Sequence, residues 1–260
     1  MSAQTIDLSA LSRAVHVELP QLPQLRDAAI ATWRGRMINE YSSAKVFEGL
    51  AAHAQRANLD PALVAEVEAF AAEERQHGVL CGAVVEALGG AALAPHKEEH
   101  AYPLHKDVSE LEGLLRNLLS ISCMSETVAV ALIGAERLEM PDGPLRELLT
   151  GIWSDEVGHA RFGWRLVQTL VPTLDAEAKA RLTKYLAVAF EHLERHELAH
   201  LPLDSKPPAE GAELGLCDGG DARLLFFETI RDVIIPGFEA VGLDAARAWK
   251  ERLRYRATAQ

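Results

Sequence analysis

Glutamate and histidine recur in this chain at spacings that suit metal binding. Glu74 and His77 stand three residues apart, as do Glu156 and His159. On a helix, positions i and i+3 share a face, so each pair offers a carboxylate and an imidazole to one cation. A further acid precedes each pair: Glu40 lies 34 residues before Glu74, and Glu126 lies 30 before Glu156. Glu197 and His200 repeat the short motif, but Val167 stands thirty residues upstream in place of an acid. That third copy reads as a coincidence in a Glu-rich chain.

The spacing makes sense only on paired helices. Asn58 to Pro61 and Pro141 to Pro144 are stop-and-start signals, with Asp60 as N-cap and Pro61 at the first helical position. Taking the first turn near residue 59, Glu40 lies nineteen residues before it, and Glu74 to His77 lie fifteen to eighteen after. Taking the second near residue 141, Glu126 and Glu156 each lie fifteen away. At a rise of ~1.5 Å per residue, each hairpin brings its acid level with its Glu-x-x-His pair to within about one turn. Two such hairpins would gather four carboxylates and two imidazoles. Burying that set without cations is costly. Two divalent ions would neutralise it, and oxygen and nitrogen donors without thiolate suit iron or manganese. The bland reading of the same residues is solvent-facing Glu on long helices.

Composition supports the helices. The 260 residues are rich in Ala, Leu and Glu and poor in aromatic residues. The expected elements are a segment 1–23 forming an extended or partly ordered arm, helices over about 24–57, 61–88, 108–140, 144–171 and 175–200, and shorter helices beyond. Asp221 is expected to cap one of these and Pro236 to break it. The stretch 91–106 is too long for a tight turn and reads as a crossover. The net charge of −12, from 26 basic and 38 acidic residues, argues against nucleic acid and anionic lipid as partners. Cys81, Cys123 and Cys217 form no C-x-x-C, and no signal peptide or run of eighteen apolar residues is evident. A cytoplasmic protein with no membrane span is expected.

Glu40, Glu74, His77, Glu126, Glu156 and His159 resemble the ligand set of the ferritin-like di-iron carboxylate superfamily, over roughly residues 24–172. The resemblance implies an all-α, ferritin-like four-helix bundle, with residues 173–260 as a helical extension packed on it in a single domain. It implies two iron ions as cofactor (alternatively Mn/Fe or two Mn), dioxygen as co-substrate, and bridging roles for Glu74 and Glu156. Asp155 and Glu73 occupy places where similar proteins carry an acid that accepts the free ring N–H of a ligand histidine. Ala44, Gly78, Cys81, Ala129, Ala160 and Gly163 neighbour the ligands and are small. They fit either a pocket for dioxygen or a small substrate, or close helix packing. The ribonucleotide reductase small subunit, which has a tyrosine in the place of Cys81 and an aspartate in that of Glu40, is not matched.

The activity implied is an O2-activating oxidase or oxygenase acting on a small organic substrate, with an external electron donor and a homodimer both compatible. Iron handling remains an alternative: a ferroxidase, storage protein or peroxide scavenger of the ferritin or rubrerythrin kind. A non-catalytic bundle is a third. His192, His196 and His200 form a stripe at i, i+4 and i+8, read as a solvated or interface face with a metal-ligand role as the less favoured option.

Overall fold

The computed structural model describes residues 4–96 and 102–256. In chain order the elements are β1 (Gln4–Asp7), α1 (Ser9–Ser12), α2 (Arg26–Arg56), α3 (Pro61–Ala87), β2 (Leu93–His96), α4 (Glu110–Leu118), α5 (Glu126–Glu139), α6 (Pro144–Leu170), α7 (Ala176–His200), α8 (Gly219–Thr229), α9 (Ile235–Ala240) and α10 (Ala245–Glu251). The chain divides into two compact units, one of residues 1–103, 136–155 and 207–217, the other of 104–135, 156–206 and 218–260.

The first unit is built on the α2–α3 hairpin. Asn58 closes α2 in the left-handed conformation (φ 55°), which asparagine tolerates better than most residues. The Asp60 carboxylate then accepts from the Ala62 N–H and Pro61 opens α3. Trp33, Met37, Ala44 and Phe47 on α2, and Val67, Phe70, Ala71 and Cys81 on α3, are buried. Phe47 and Phe70 meet edge to face at 5.8 Å. The Trp33 indole N–H donates to the Leu214 carbonyl at 2.8 Å. Arg36 forms an ion pair with buried Glu136. Burial, together with the Glu136 charge, pushes the nearby Cys217 thiol up to about 12. That thiol stays protonated and is a poor nucleophile.

The N-terminal segment is more ordered than the sequence suggests. β1 pairs antiparallel with β2, Ile6 opposite Ala94 and Asp7 opposite Leu93. The Ser12 hydroxyl donates to the Val79 carbonyl at 3.0 Å, tying α1 to α3. Gly82 permits this approach, since a Cβ there would stand 2.3 Å from Ser12 Oγ. The expected crossover over 91–106 thus contains a strand at its start, and residues 97–101 of it lie outside those described.

The second unit contains a helical stretch that is not α-helical throughout. Leu119–Ser125, between α4 and α5, is a π-helix. Its wider turn is visible in the Ser125 hydroxyl, which donates to the Ser120 carbonyl five residues back. Read as one rod, Glu110–Glu139 is long and apolar enough in composition to cross a membrane. It is a core helix instead. Leu114, Leu115, Leu118, Leu119, Cys123 and Met124 are buried, and Glu112 is held by Arg181 at 2.8 Å and by Arg116 at 3.3 Å.

Two expectations in the C-terminal region are corrected. Asp218, not Asp221, caps α8, accepting from the Gly220 and Asp221 N–H groups. Pro236 does not end the helix. The chain remains helical from Gly219 to Ala240 because a π-turn, Ile230–Ile234, ends two residues before the proline. A π-turn widens the ladder where a proline ring would otherwise collide with the carbonyl four residues back. Gly237 lies so close to Trp164 that a Cβ would come within 2.6 Å of the indole. Phe238 and Trp249 complete an aromatic cluster around Phe190. Buried Glu194 is clamped by Arg252 at 2.7 Å and Arg256 at 2.9 Å.

Candidate metal centre

The Glu-x-x-His pairs of α3 and α6 lie on the buried faces of their helices. In the first unit, Glu74 and His77 on α3 are each 1 % exposed. His77 Nδ1 lies 3.8 Å from a carboxylate oxygen of Glu40 on α2. Its other ring nitrogen, Nε2, is 3.0 Å from Asp155 Oδ2. A carboxylate only accepts, so Nε2 carries the proton and donates it to Asp155. Nδ1 is left with a lone pair on the Glu40 side. This is the arrangement that makes an imidazole a good metal ligand.

In the second unit, Glu126 opens α5 directly after the π-turn and is buried. Glu156 and His159 on α6 are 3 % and 0 % exposed. His159 Nδ1 stands 3.1 Å from Glu156 Oε2. The histidine therefore turns the same nitrogen towards its carboxylate as His77 does.

Two groups of ligand atoms result, each with its members within 4.8 Å of one another: Glu40, Glu74, His77 and Glu156, and Glu74, Glu126, Glu156 and His159. Glu74 and Glu156 are common to both. All six sequence-predicted ligands are thus brought together, with two carboxylates shared and one carboxylate and one histidine private to each group. Four carboxylates grouped this closely, three of them buried and Glu40 partly so, repel one another strongly. Two divalent cations would offset the four charges, and the donor set fits iron or manganese.

The neighbouring positions differ among themselves. Asp155, expected as an acid behind a histidine, contacts His77, the histidine of the other motif. Glu73 is half-buried. Gly163 is small for close packing, since a Cβ would stand 2.4 Å from that of Ser122. Gly78 is under no such constraint, because a Cβ there would meet Leu8, Glu40 and Met37 at 3.5–3.7 Å. Ala44, Cys81 and Ala160 are buried and Ala129 half-buried. A cavity of about 310 Å³, lined by Glu18, Pro20, Met140, Arg146 and Glu213 among others, includes none of these small residues. Burial pushes the Cys123 thiol well above its usual range. Glu197 and His200, the third copy of the motif, belong to neither ligand group. Burial pushes the Glu197 carboxyl up to about 7.

One feature not anticipated from the sequence is the π-turn ahead of Glu126. A signal for it existed in Leu-Ser-Ile-Ser-Cys-Met-Ser, where weak helix formers interrupt an otherwise strong helix.

No protein-family model matches the chain. No curated protein matches it either. Among solved structures it is similar to one described as "Protein 19 with aldehyde deformylating oxidase activity from Synechococcus", at 19 % identity and a TM-score of 0.57, over 96 % of this chain and 100 % of that one. Identity at this level speaks for the fold alone: the chain is all-α and ferritin-like, with a buried carboxylate and histidine cluster.

Proposed function

We propose that this chain is a dinuclear non-haem metalloenzyme that activates dioxygen to oxidise a small organic substrate. The observation that carries the reading is the pair of ligand groups sharing Glu74 and Glu156. Glu40 and His77 would complete one metal position, Glu126 and His159 the other. Two iron ions held there supply reversible redox chemistry and a place to reduce dioxygen. The chain's own residues set the conditions. Asp155 holds the His77 ring and its tautomer. With its side chain 44 % exposed, Asp155 also links that ring to solvent. Burial of Glu74, Glu126 and Glu156 keeps bulk water from these carboxylates and strengthens the charge interactions among them.

The structural neighbour is described by activity on aldehydes, which makes a fatty or short-chain aldehyde the first substrate to test. The experiment is oxygen uptake by protein loaded with Fe2+ and supplied with a chemical reductant, with and without aldehyde. Aldehyde-dependent uptake with an organic product supports the reading. Uptake that follows added Fe2+ alone, with no organic product from any of a panel of aldehydes, alcohols and hydrocarbons, would replace it with iron handling. Loading with manganese or a manganese and iron mixture in parallel assigns the metal.

A further inference from the structure

The histidine stripe on α7 has no part in the buried cluster, yet it sets imidazoles one helical turn apart. His192 and His200 are exposed and His196 is half-buried. The rings of His196 and His200 lie 4.6 Å apart between centroids, tilted by 52°. Those of His192 and His196 are 6.2 Å apart and nearly parallel, at 19°. Imidazoles one helical turn apart can reach a single ion without any change in the backbone.

A second observation separates the two pairs. His200 Nδ1 lies 2.9 Å from the His196 carbonyl oxygen. The carbonyl only accepts, so Nδ1 carries the proton and Nε2 presents its lone pair. Metal-ligating histidines are commonly fixed in this way, with the non-ligating nitrogen bound to a carbonyl. At the other end of the stripe, Arg195 Nη2 donates to His192 Nδ1 at 3.2 Å. A guanidinium beside that ring opposes a second cation. The favourable pair is therefore His196 with His200.

We propose that His196 and His200 form a separate, exchangeable site on α7 for one borderline divalent transition-metal ion such as zinc, nickel or copper, with water completing its coordination. Neutral imidazole nitrogens suit these ions. The carboxylate-rich buried cluster suits harder ones. The site stands independently of the proposed enzymatic activity.

The test is equilibrium dialysis of the full-length protein against Ni2+, comparing wild type with His192→Ala, His196→Ala and His200→Ala, all in a Glu156→Ala background that disables the buried cluster. The account expects one nickel ion per chain in the parent and in His192→Ala. It expects affinity at least about tenfold weaker in His196→Ala and His200→Ala, because two-point attachment becomes one-point. Should the His196 variant fail to fold, the exposed His200 variant carries the result. Unchanged nickel affinity in His200→Ala, or equal losses in all three variants, would overturn the proposal.

Discussion

Glu-x-x-His occurs three times in this chain, and the copies do not do the same thing. On α3 and α6 both members of the motif are buried, and each pair joins a further acid in the ligand groups. On α7 the glutamate is partly buried, the histidine is exposed, and neither joins those groups. The local pattern is identical, so the motif by itself does not decide the outcome. What differs is the partner helix. α3 and α6 each follow a tight turn from a helix that carries an acid at matching height. α7 follows α6 with no acid at the equivalent distance. A short metal motif thus has content only together with the hairpin that completes it.

The largest effect expected on this contrast comes from Glu156→Ala. Its carboxylate is common to both ligand groups, so metal content should fall from two ions towards none, measured by elemental analysis after iron loading. Glu126→Ala, which touches only one group, should keep about one ion. Equal losses in the two variants would break the division into shared and private ligands.

Asp155→Asn comes next. An amide at this position can still hold the ring but no longer offers a full negative charge to the Nε2 proton. Metal affinity should drop by about 10–100-fold, the cost typical of removing such a support, read by competition with a chelator. His77 keeps its place, so the metal count at saturation should stay at two.

A third contrast sets two glycines apart. Gly163→Ala forces a Cβ against Ser122 at 2.4 Å and should destabilise the protein by about 1–3 kcal/mol. Gly78→Ala meets only ordinary contacts at 3.5 Å or more and should stabilise by up to about 1 kcal/mol through helix propensity. Urea unfolding of both variants measures the difference, and equal effects would refute the packing role given to Gly163.

The smallest effect belongs to the third motif. The Glu197 carboxyl is pushed up to about 7 by burial, from an ordinary 4.5. A raised acid costs stability once the pH passes the unfolded value, and the full penalty is reached above the folded one. Glu197→Gln should therefore stabilise the protein at pH 8 by about 1–2 kcal/mol, discounted for the residual exposure of the side chain. It should do little at pH 4. Metal content should be unchanged.

Much of the cluster was legible in the sequence because it depends on helix rise and turn position, which residue counts convert directly into height. The α2–α3 hairpin and its Asp60 cap follow from local chemistry in the same way. Other features depend on which surfaces meet. That Asp155 would serve His77 of the other motif requires knowing which helices face each other. β1 spans four residues and finds its partner about ninety residues later, beyond the reach of any local pattern. The Pro236 helix and the π-turn before Glu126 arise from exceptions to the α-helical period, and a reading built on that period passes over them.

The most direct test counts metal. Wild type, Glu156→Ala and Glu197→Ala are loaded with Fe2+ without oxygen, desalted, and analysed for iron per chain. Two ions in wild type and Glu197→Ala, with almost none in Glu156→Ala, is the result expected of a dinuclear centre built on the paired motifs. The same iron content in wild type and Glu156→Ala would contradict it.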